Sequence, residues 1–184
     1  QVENASVALA ALDCIRQAGV SVDESSITSG LAQTRWEGRM ERMASQPDIF
    51  LDGAHNPAAA ARLAGVLGQL RWSYRKLVLV IGILMDKDYQ GILGSLVPLA
   101  DRVIVTRPEY ARALDAQQLY DAVRDWPVAV SAAPTIPDAI ACARSGAGVH
   151  DLIVITGSLY VVGEARAALL QDDAEAGILK GLKG

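Results

Sequence analysis

The fold is decided by the stretch Leu77-Val78-Leu79-Val80-Ile81, in which five apolar residues follow one another and Gly82 comes directly after. A strand that is apolar on both faces is typical of a parallel sheet covered by helices on both sides. Similar apolar runs occur at residues 49–51, 102–106, 128–130 and 151–156. Helical patterns separate these runs, so the sequence predicts a doubly wound, mostly parallel α/β sheet with helices on both faces.

The two ends of the chain have a different pattern. Residues 1–18 indicate a helix that ends at Gly19, and a second helix is expected at about residues 23–33. Because residue 1 is Gln and the helical pattern is already under way, we expect a piece of a longer protein, with a boundary near residue 35 between a helical lead and the α/β body. The polar tail beyond residue 171 is expected to fray.

The composition excludes several classes of protein. Of the 184 residues, 51% are hydrophobic and only 5% aromatic, so the core must be mainly aliphatic. A net charge of −4 disfavours a general basic surface for nucleic acids, and the 2 cysteines are too few for a zinc site or a disulfide framework. There is neither a long apolar span nor a signal peptide, so we expect a cytoplasmic protein with no membrane or nucleic-acid partner.

Polar side chains follow the predicted strands where each strand ends. In open α/β sheets, ligands bind beyond the carboxyl ends of the strands. The polar segments at these positions are residues 52–56, 82–88, 107–109 and 156–160. We therefore expect a site along this edge of the sheet.

The segment Asp52-Gly53-Ala54-His55-Asn56 has two interpretations. A carboxylate and an imidazole held before a helix could bind a metal-phosphate, a ribose or a reacting acid. Alternatively, Asp52 and Asn56 only cap the following helix and His55 is a surface residue. The spacing alone leaves both open.

Three further polar residues also have alternatives. Lys87 could bind a carboxylate, or it could pair with its neighbours Asp86 and Asp88. Ser158 could contact a ligand or cap the next helix, which is the commoner use of serine there. Arg39 could clamp a phosphate or a carboxylate, although an exposed arginine is otherwise unremarkable.

Some familiar motifs are absent from the sequence. There is no P-loop and no G-x-G-x-x-G after a strand, and no nucleophile arrangement has local support. The residues alone therefore predict an α/β domain with a polar edge and do not name a reaction.

Five motifs occur in order along the chain, at residues 2–12, 38–41, 51–57, 82–88 and 156–160. Together they resemble the C-terminal part of the folylpolyglutamate synthase/dihydrofolate synthase family, which is similar to the muramoyl-peptide ligases. The Asp-x-Ala-His-Asn-Pro box at residues 52–57, with the Gly-Arg box upstream, is the specific part of this resemblance.

The resemblance implies a domain of an ATP-dependent ligase that adds L-glutamate to a folate or dihydropteroate carboxylate through an acyl phosphate. Residues 1–35 would be the helical tail and linker of an N-terminal ATPase domain of the same polypeptide, which holds the P-loop and most Mg²⁺ ligands. Residues 36–184 would be the Rossmann-like Mur ligase C-terminal domain. The chain alone would then be inactive, and it would contact ATP and glutamate when the two domains close.

The resemblance also implies roles for single residues. Asn4, Arg39 and Asp52 would contact ATP, and Asp52 and His55 would be catalytic. No metal ligand is implied in this chain.

For the amino-acid substrate, the resemblance implies that Lys87, Ser158 and Tyr160 bind glutamate. Two alternatives stay open beside the folate ligase. One is the C-terminal domain of a muramoyl-peptide ligase, which adds amino acids to cell-wall precursors. The other is a non-catalytic nucleotide-binding module, whose fold would look the same.

Overall fold

The computed structural model describes residues 2–181, and for Glu3, Asp173 and residues 175–181 it describes the backbone alone. The chain divides into two compact units, Gln1–Glu37 and Gly38–Gly184.

The first unit contains the two predicted helices. Helix α1 spans Val2–Gln17 and helix α2 spans Glu24–Gln33. After α1 the backbone turns at Gly19 with a φ of +92°, a value that glycine adopts without strain. The carboxylate of Asp23 accepts a hydrogen bond from the Ser26 amide and so caps α2. The predicted helices are therefore confirmed.

The second unit is built on a six-stranded sheet. Its strands are β1 (Glu41–Ala44), β2 (Asp48–Asp52), β3 (Leu77–Ile81), β4 (Arg102–Val105), β5 (Ala129–Ala132) and β6 (Leu152–Thr156). The strand order is β1-β2-β6-β3-β4-β5. Edge strand β1 runs antiparallel to β2, and the other neighbours are parallel. The predicted doubly wound α/β fold is confirmed.

Helices cover both faces of this sheet. They are α3 (Pro57–Gln69), α4 (Tyr89–Leu96), α5 (Ala116–Val123), α6 (Ile136–Ser145) and α7 (Leu159–Gly181). The side chains of β3 alternate between two cores. Leu77, Leu79 and Ile81 pack with α3, α4 and α5, whereas Val78 and Val80 pack with α6 and α7. Because both faces are covered, every residue of β3 is buried, as the apolar run predicts.

The last helix is longer than expected. Helix α7 extends to Gly181, so the expectation that the chain frays beyond residue 171 is wrong for the backbone up to that residue. The segment after residue 170 contains no proline, so nothing in it removes a backbone donor and forces the helix to end. Residues 182–184 lie outside the described part of the chain.

The carboxyl ends of the central strands are level with one another. Thr156, the last residue of β6, pairs with Asp52 on one side and Ile81 on the other. Ile81 pairs in turn with Val105 of β4. The loops that leave β2, β6, β3 and β4 therefore start side by side.

A glycine makes this arrangement possible after β6. Gly157 has a φ of +106°, and a Cβ there would lie 2.5 Å from the Gly82 carbonyl oxygen and 3.0 Å from Ile81 Cγ1. Such distances are too short for any side chain. The loops after β6 and β3 can therefore approach only because residue 157 is glycine.

We predict that Gly157→Ala lowers the free energy of unfolding by more than about 2 kcal/mol, since it combines a strained φ with a backbone clash. Gly163→Ala is the control, because it lies within α7 with nothing within 4 Å of its added Cβ. This control should raise the free energy of unfolding by about 0.5–1 kcal/mol. Urea denaturation of the 184-residue chain measures both. Equal effects of the two substitutions would contradict the described turn.

Candidate functional site

Backbone hydrogen bonds join the loops at this edge into one surface. The Gly157 amide donates to the Ala54 carbonyl at 3.2 Å, which links the loop after β6 to the loop after β2. The Gly82 amide donates to the Thr156 carbonyl at 3.2 Å, which links the loop after β3 to β6. Because these bonds fix the backbone, the side chains that the loops carry are presented from a rigid frame.

Asp52 ends β2, and backbone amides hold its carboxylate. Its Oδ2 accepts from the Met40 amide at 3.1 Å, and its Oδ1 accepts from the Ala54 amide at 3.0 Å. The cap of α3 is instead Asn56, whose Oδ1 accepts from the Ala59 amide at 2.8 Å. The capping interpretation is thus right for Asn56 and wrong for Asp52.

Burial controls the acidity of Asp52. Removal from water raises the pKa of this carboxyl above its ordinary value of 3.8. The hydrogen bonds from the Met40 and Ala54 amides and the charge of Arg39 act in the opposite direction and are weaker. Arg39 therefore lies close enough to Asp52 for its charge to be felt, although its side chain is exposed.

His55 is half-buried, and a single contact defines which ring nitrogen carries the hydrogen in the neutral tautomer. Its Nδ1 lies 2.8 Å from the Gly53 carbonyl oxygen. A carbonyl oxygen can only accept, so Nδ1 carries the proton. In the neutral ring Nε2 then holds the lone pair. The loop backbone therefore orients the ring of His55.

The Gly-Arg box packs beside this loop. Gly38, with a φ of +67°, accepts from the Gly53 amide at 2.7 Å through its carbonyl oxygen. Its own amide donates to Glu41 Oε2 at 2.7 Å, and Glu41 Oε1 accepts from Arg166 Nε at 3.0 Å. Glu41 thus ties the box to α7, and the box positions Arg39 next to Asp52.

Ser158 is buried at the start of α7. Its Oγ accepts from the Val161 amide at 3.1 Å, so the capping interpretation is correct. The hydroxyl hydrogen is not used in that bond, and a serine can donate while it caps.

Lys87 lies in the loop between β3 and α4. Its Nζ is 2.8 Å from Asp86 Oδ2, and both side chains are partly exposed. Asp88 does not take part, because its carboxylate caps α4 by accepting from the Gly91 amide at 2.9 Å. The alternative of local pairing therefore holds for Asp86 alone.

Tyr160 begins the exposed side of α7 and stacks on a residue that the sequence analysis did not single out. Its ring centroid lies 3.8 Å from that of Tyr110, with the planes 15° apart. Arg112 Nη2 donates to Tyr110 Oη at 2.9 Å. Tyr110 and Arg112 both lie in the ten-residue segment 106–115 between β4 and α5. The length of this segment is the sequence feature that could have indicated them, because long loops at this edge of a sheet often carry functional residues.

Six of the predicted site residues, Arg39, Asp52, His55, Lys87, Ser158 and Tyr160, belong to the unit Gly38–Gly184. Asn4 lies on α1 in the other unit, and its side chain is exposed. Within residues 2–181, the described side chains contain no group of three His, Cys, Asp or Glu residues that could hold a metal ion.

This fold and this edge are those of a ligase domain. The sequence model of the Mur ligase, glutamate ligase domain matches residues 38–159, and the chain belongs to that family. The match includes Arg39, Asp52, His55, Lys87 and Ser158.

The relatives within this family are enzymes of folate metabolism. The dihydrofolate synthase/folylpolyglutamate synthase of Mycobacterium tuberculosis is 39% identical over 94% of this chain and 39% of that protein. Among solved structures, Escherichia coli FolC in complex with ADP matches with a TM-score of 0.81 and 30% identity, over 94% of this chain and 40% of that one. A bifunctional folylpolyglutamate synthase/dihydrofolate synthase with Mn, AMPPNP and L-glutamate bound matches with a TM-score of 0.76 and 30% identity, over 86% of this chain and 38% of that one.

The chain spans about two fifths of the length of these relatives, between 38% and 40%. In the described part of the chain, none of the helices is long and apolar enough to cross a membrane.

The acidity of Asp52 gives a testable prediction. Because its folded pKa is raised, its contribution to stability is greatest below pH 3.8 and is lost as the pH rises through the folded pKa. Since Arg39 lowers this pKa, Arg39→Ala should raise it further, while Arg39→Lys should leave it near the native value. Carboxyl-carbon NMR titration of Asp52 measures the three values. An unchanged pKa in Arg39→Ala would mean that Arg39 does not face this carboxylate.

Proposed function

We propose that this chain is the C-terminal domain of an ATP-dependent amide ligase that adds L-glutamate to a folate or dihydropteroate carboxylate. The observation that carries the proposal is the level row of strand ends, which places Asp52 and His55 in the same edge as Lys87 and Ser158. The relatives named folylpolyglutamate synthase/dihydrofolate synthase, one with L-glutamate bound, support this substrate class.

The reaction joins two anions, and this explains the residue types at the edge. The substrate carboxylate attacks the γ-phosphate of ATP to give an acyl phosphate and ADP, and the amino group of glutamate then displaces inorganic phosphate to form the amide and loses a proton. Lys87 offers a cation to a glutamate carboxylate, and the α7 N-terminus beside Ser158 adds the positive end of a helix dipole. When the His55 ring is unprotonated at Nε2, that nitrogen can accept the proton that the glutamate amine loses as it attacks the acyl phosphate.

The nucleotide side of the proposal rests on Arg39 and Asp52, with Asn4 contributed from α1. Asp52 accepts two backbone hydrogen bonds, and such a fixed carboxylate can orient a ribose hydroxyl or a metal-bound phosphate. Mg²⁺ would be held mainly by a preceding ATPase domain.

The same proposal assigns the two parts of this chain to two domains of the ligase. Residues 1–35 are the helical tail and linker of an N-terminal ATPase domain, and residues 36–184 are the ligase C-terminal domain. Closure of the two domains would exclude water, which otherwise hydrolyses the acyl phosphate. The 184-residue chain alone is then inactive and provides the baseline for the experiments below.

In the ligase that contains this chain, Asp52→Asn and His55→Ala should each lower kcat/KM by about 10²-fold or more, because both groups act on reacting or phosphate atoms. The chain has 2 histidines, and His150→Ala is the matched control because it precedes β6 at the opposite edge of the sheet. Steady-state ligation of L-glutamate to dihydropteroate and to folates measures the loss. Turnover of only a muramoyl-peptide substrate, or of none, would overturn the proposed function.

A charge-assisted contact to one substrate should affect that substrate alone. Lys87→Ala is expected to raise KM for L-glutamate by about 10- to 100-fold, the equivalent of roughly 1.5–3 kcal/mol, with little change in KM for ATP. Lys76→Ala is the control, since Lys76 is exposed just before β3 at its far end. If only KM for ATP changes, Lys87 belongs to the nucleotide side.

A further inference from the structure

We propose that Arg112 determines amino-acid specificity by binding the second carboxylate of the incoming glutamate, while Lys87 binds the first. This inference rests on the proposed function and adds a residue that it does not assign. It also explains how the site would prefer an amino acid with two carboxylates over one with a single carboxylate.

Hydrogen bonds orient the guanidinium of Arg112, and no carboxylate of the described residues forms a direct ion pair with it. Its Nε and Nη2 both donate to Tyr110 Oη, at 3.2 and 2.9 Å. The side chain is exposed, so it is open to a ligand from solvent. The two bonds to Tyr110 leave Nη1 free to donate.

Arg112 and Lys87 lie on two loops that backbone contacts join. The Met85 amide donates to the Arg112 carbonyl oxygen at 2.9 Å, and Leu84 forms an antiparallel bridge with Ala113. These contacts fix the loop after β4 against the loop after β3. Lys87 and Arg112 therefore cannot move apart without breaking backbone hydrogen bonds.

Asp86 interacts with both cations. Asp86 pairs with Lys87 at 2.8 Å, and this bond, together with the charge of Arg112, lowers the pKa of Asp86. Two positive charges thus share one negative charge at this place. A ligand that brings two carboxylates can satisfy both cations, whereas a ligand with one carboxylate leaves one of them unpaired.

Stacking explains why Arg112 is held in place. The ring of Tyr110 stacks on that of Tyr160, with the two ring centroids 3.8 Å apart. Tyr160 comes two residues after Ser158, the buried residue that caps α7. The aromatic pair therefore connects Arg112 to the start of α7, where the proposed glutamate contacts converge. A planar guanidinium that is already oriented loses little conformational entropy when it binds a carboxylate, and its fork matches the two oxygens.

The experiment compares acidic and amide amino acids in the ligase that contains this chain. Wild type should use L-glutamate far better than L-glutamine. Arg112→Gln should raise KM for L-glutamate by about 10- to 100-fold, with kcat and KM for ATP nearly unchanged, and should reduce the preference over L-glutamine by a similar factor.

Three variants show whether the effect comes from charge or from structure. Arg112→Lys keeps the charge and should restore part of the preference. Tyr110→Phe keeps the stacked ring but removes the acceptor of Arg112, and should cause an intermediate loss. Arg124→Gln is the control, because Arg124 is an exposed arginine at the end of α5 that pairs with Asp121. If Arg112→Gln does not fold, Arg112→Lys and Tyr110→Phe provide the same comparison.

The outcomes separate the two proposals. If wild type does not ligate L-glutamate, the proposed function fails and this inference fails with it. If wild type prefers L-glutamate and Arg112→Gln keeps that preference, the proposed function stands and the role of Arg112 is overturned. A rise in KM for ATP equal to that for L-glutamate would also overturn it.

Discussion

The whole edge of the sheet depends on one close approach, between the backbones of Gly157 and Gly82. A Cβ on Gly157 would come within 2.5 Å of the Gly82 carbonyl oxygen, and a Cβ on Gly82 would come within 2.9 Å of the Thr106 carbonyl oxygen. These contacts let three loops from neighbouring parallel strands leave the sheet side by side. Without them the loops after β6, β3 and β4 would lie further apart, and a single small molecule could not contact all three.

Three cationic side chains lie at this edge of the sheet, although the chain as a whole is negatively charged. The chain carries a net charge of −4, yet Arg39, Lys87 and Arg112 lie on the loops of one sheet edge. Each has a nearby carboxylate, Asp52 for Arg39 and Asp86 for the other two. The edge is therefore a set of matched charges within a mainly acidic surface. It suits anionic ligands that replace a carboxylate of the protein.

The sequence allows the sheet and the position of the site to be predicted, because both depend on local patterns. Apolar runs such as residues 77–81 define buried strands, and polar residues after such runs must lie at the carboxyl edge. The order of the strands in the sheet does not follow from local sequence patterns. Tyr110 meets Tyr160 only because β6 is inserted beside β3, and nothing in the segment 106–115 indicates a partner 50 residues away in the chain. The role of Asp52 is likewise ambiguous in the sequence, because the Met40 amide that it binds comes from the turn just before β1, 12 residues away in the chain.

The ion pair between Lys87 and Asp86 bears on how strongly a substrate can be held. If Lys87 binds a carboxylate of the substrate as proposed, that carboxylate exchanges with Asp86, so at Lys87 one ion pair replaces another. The net gain is then a difference between two similar interactions, and the site favours rapid release over tight retention. An exchange of this kind also responds less to dissolved salt than the formation of a new pair, because screening weakens both partners of the exchange alike.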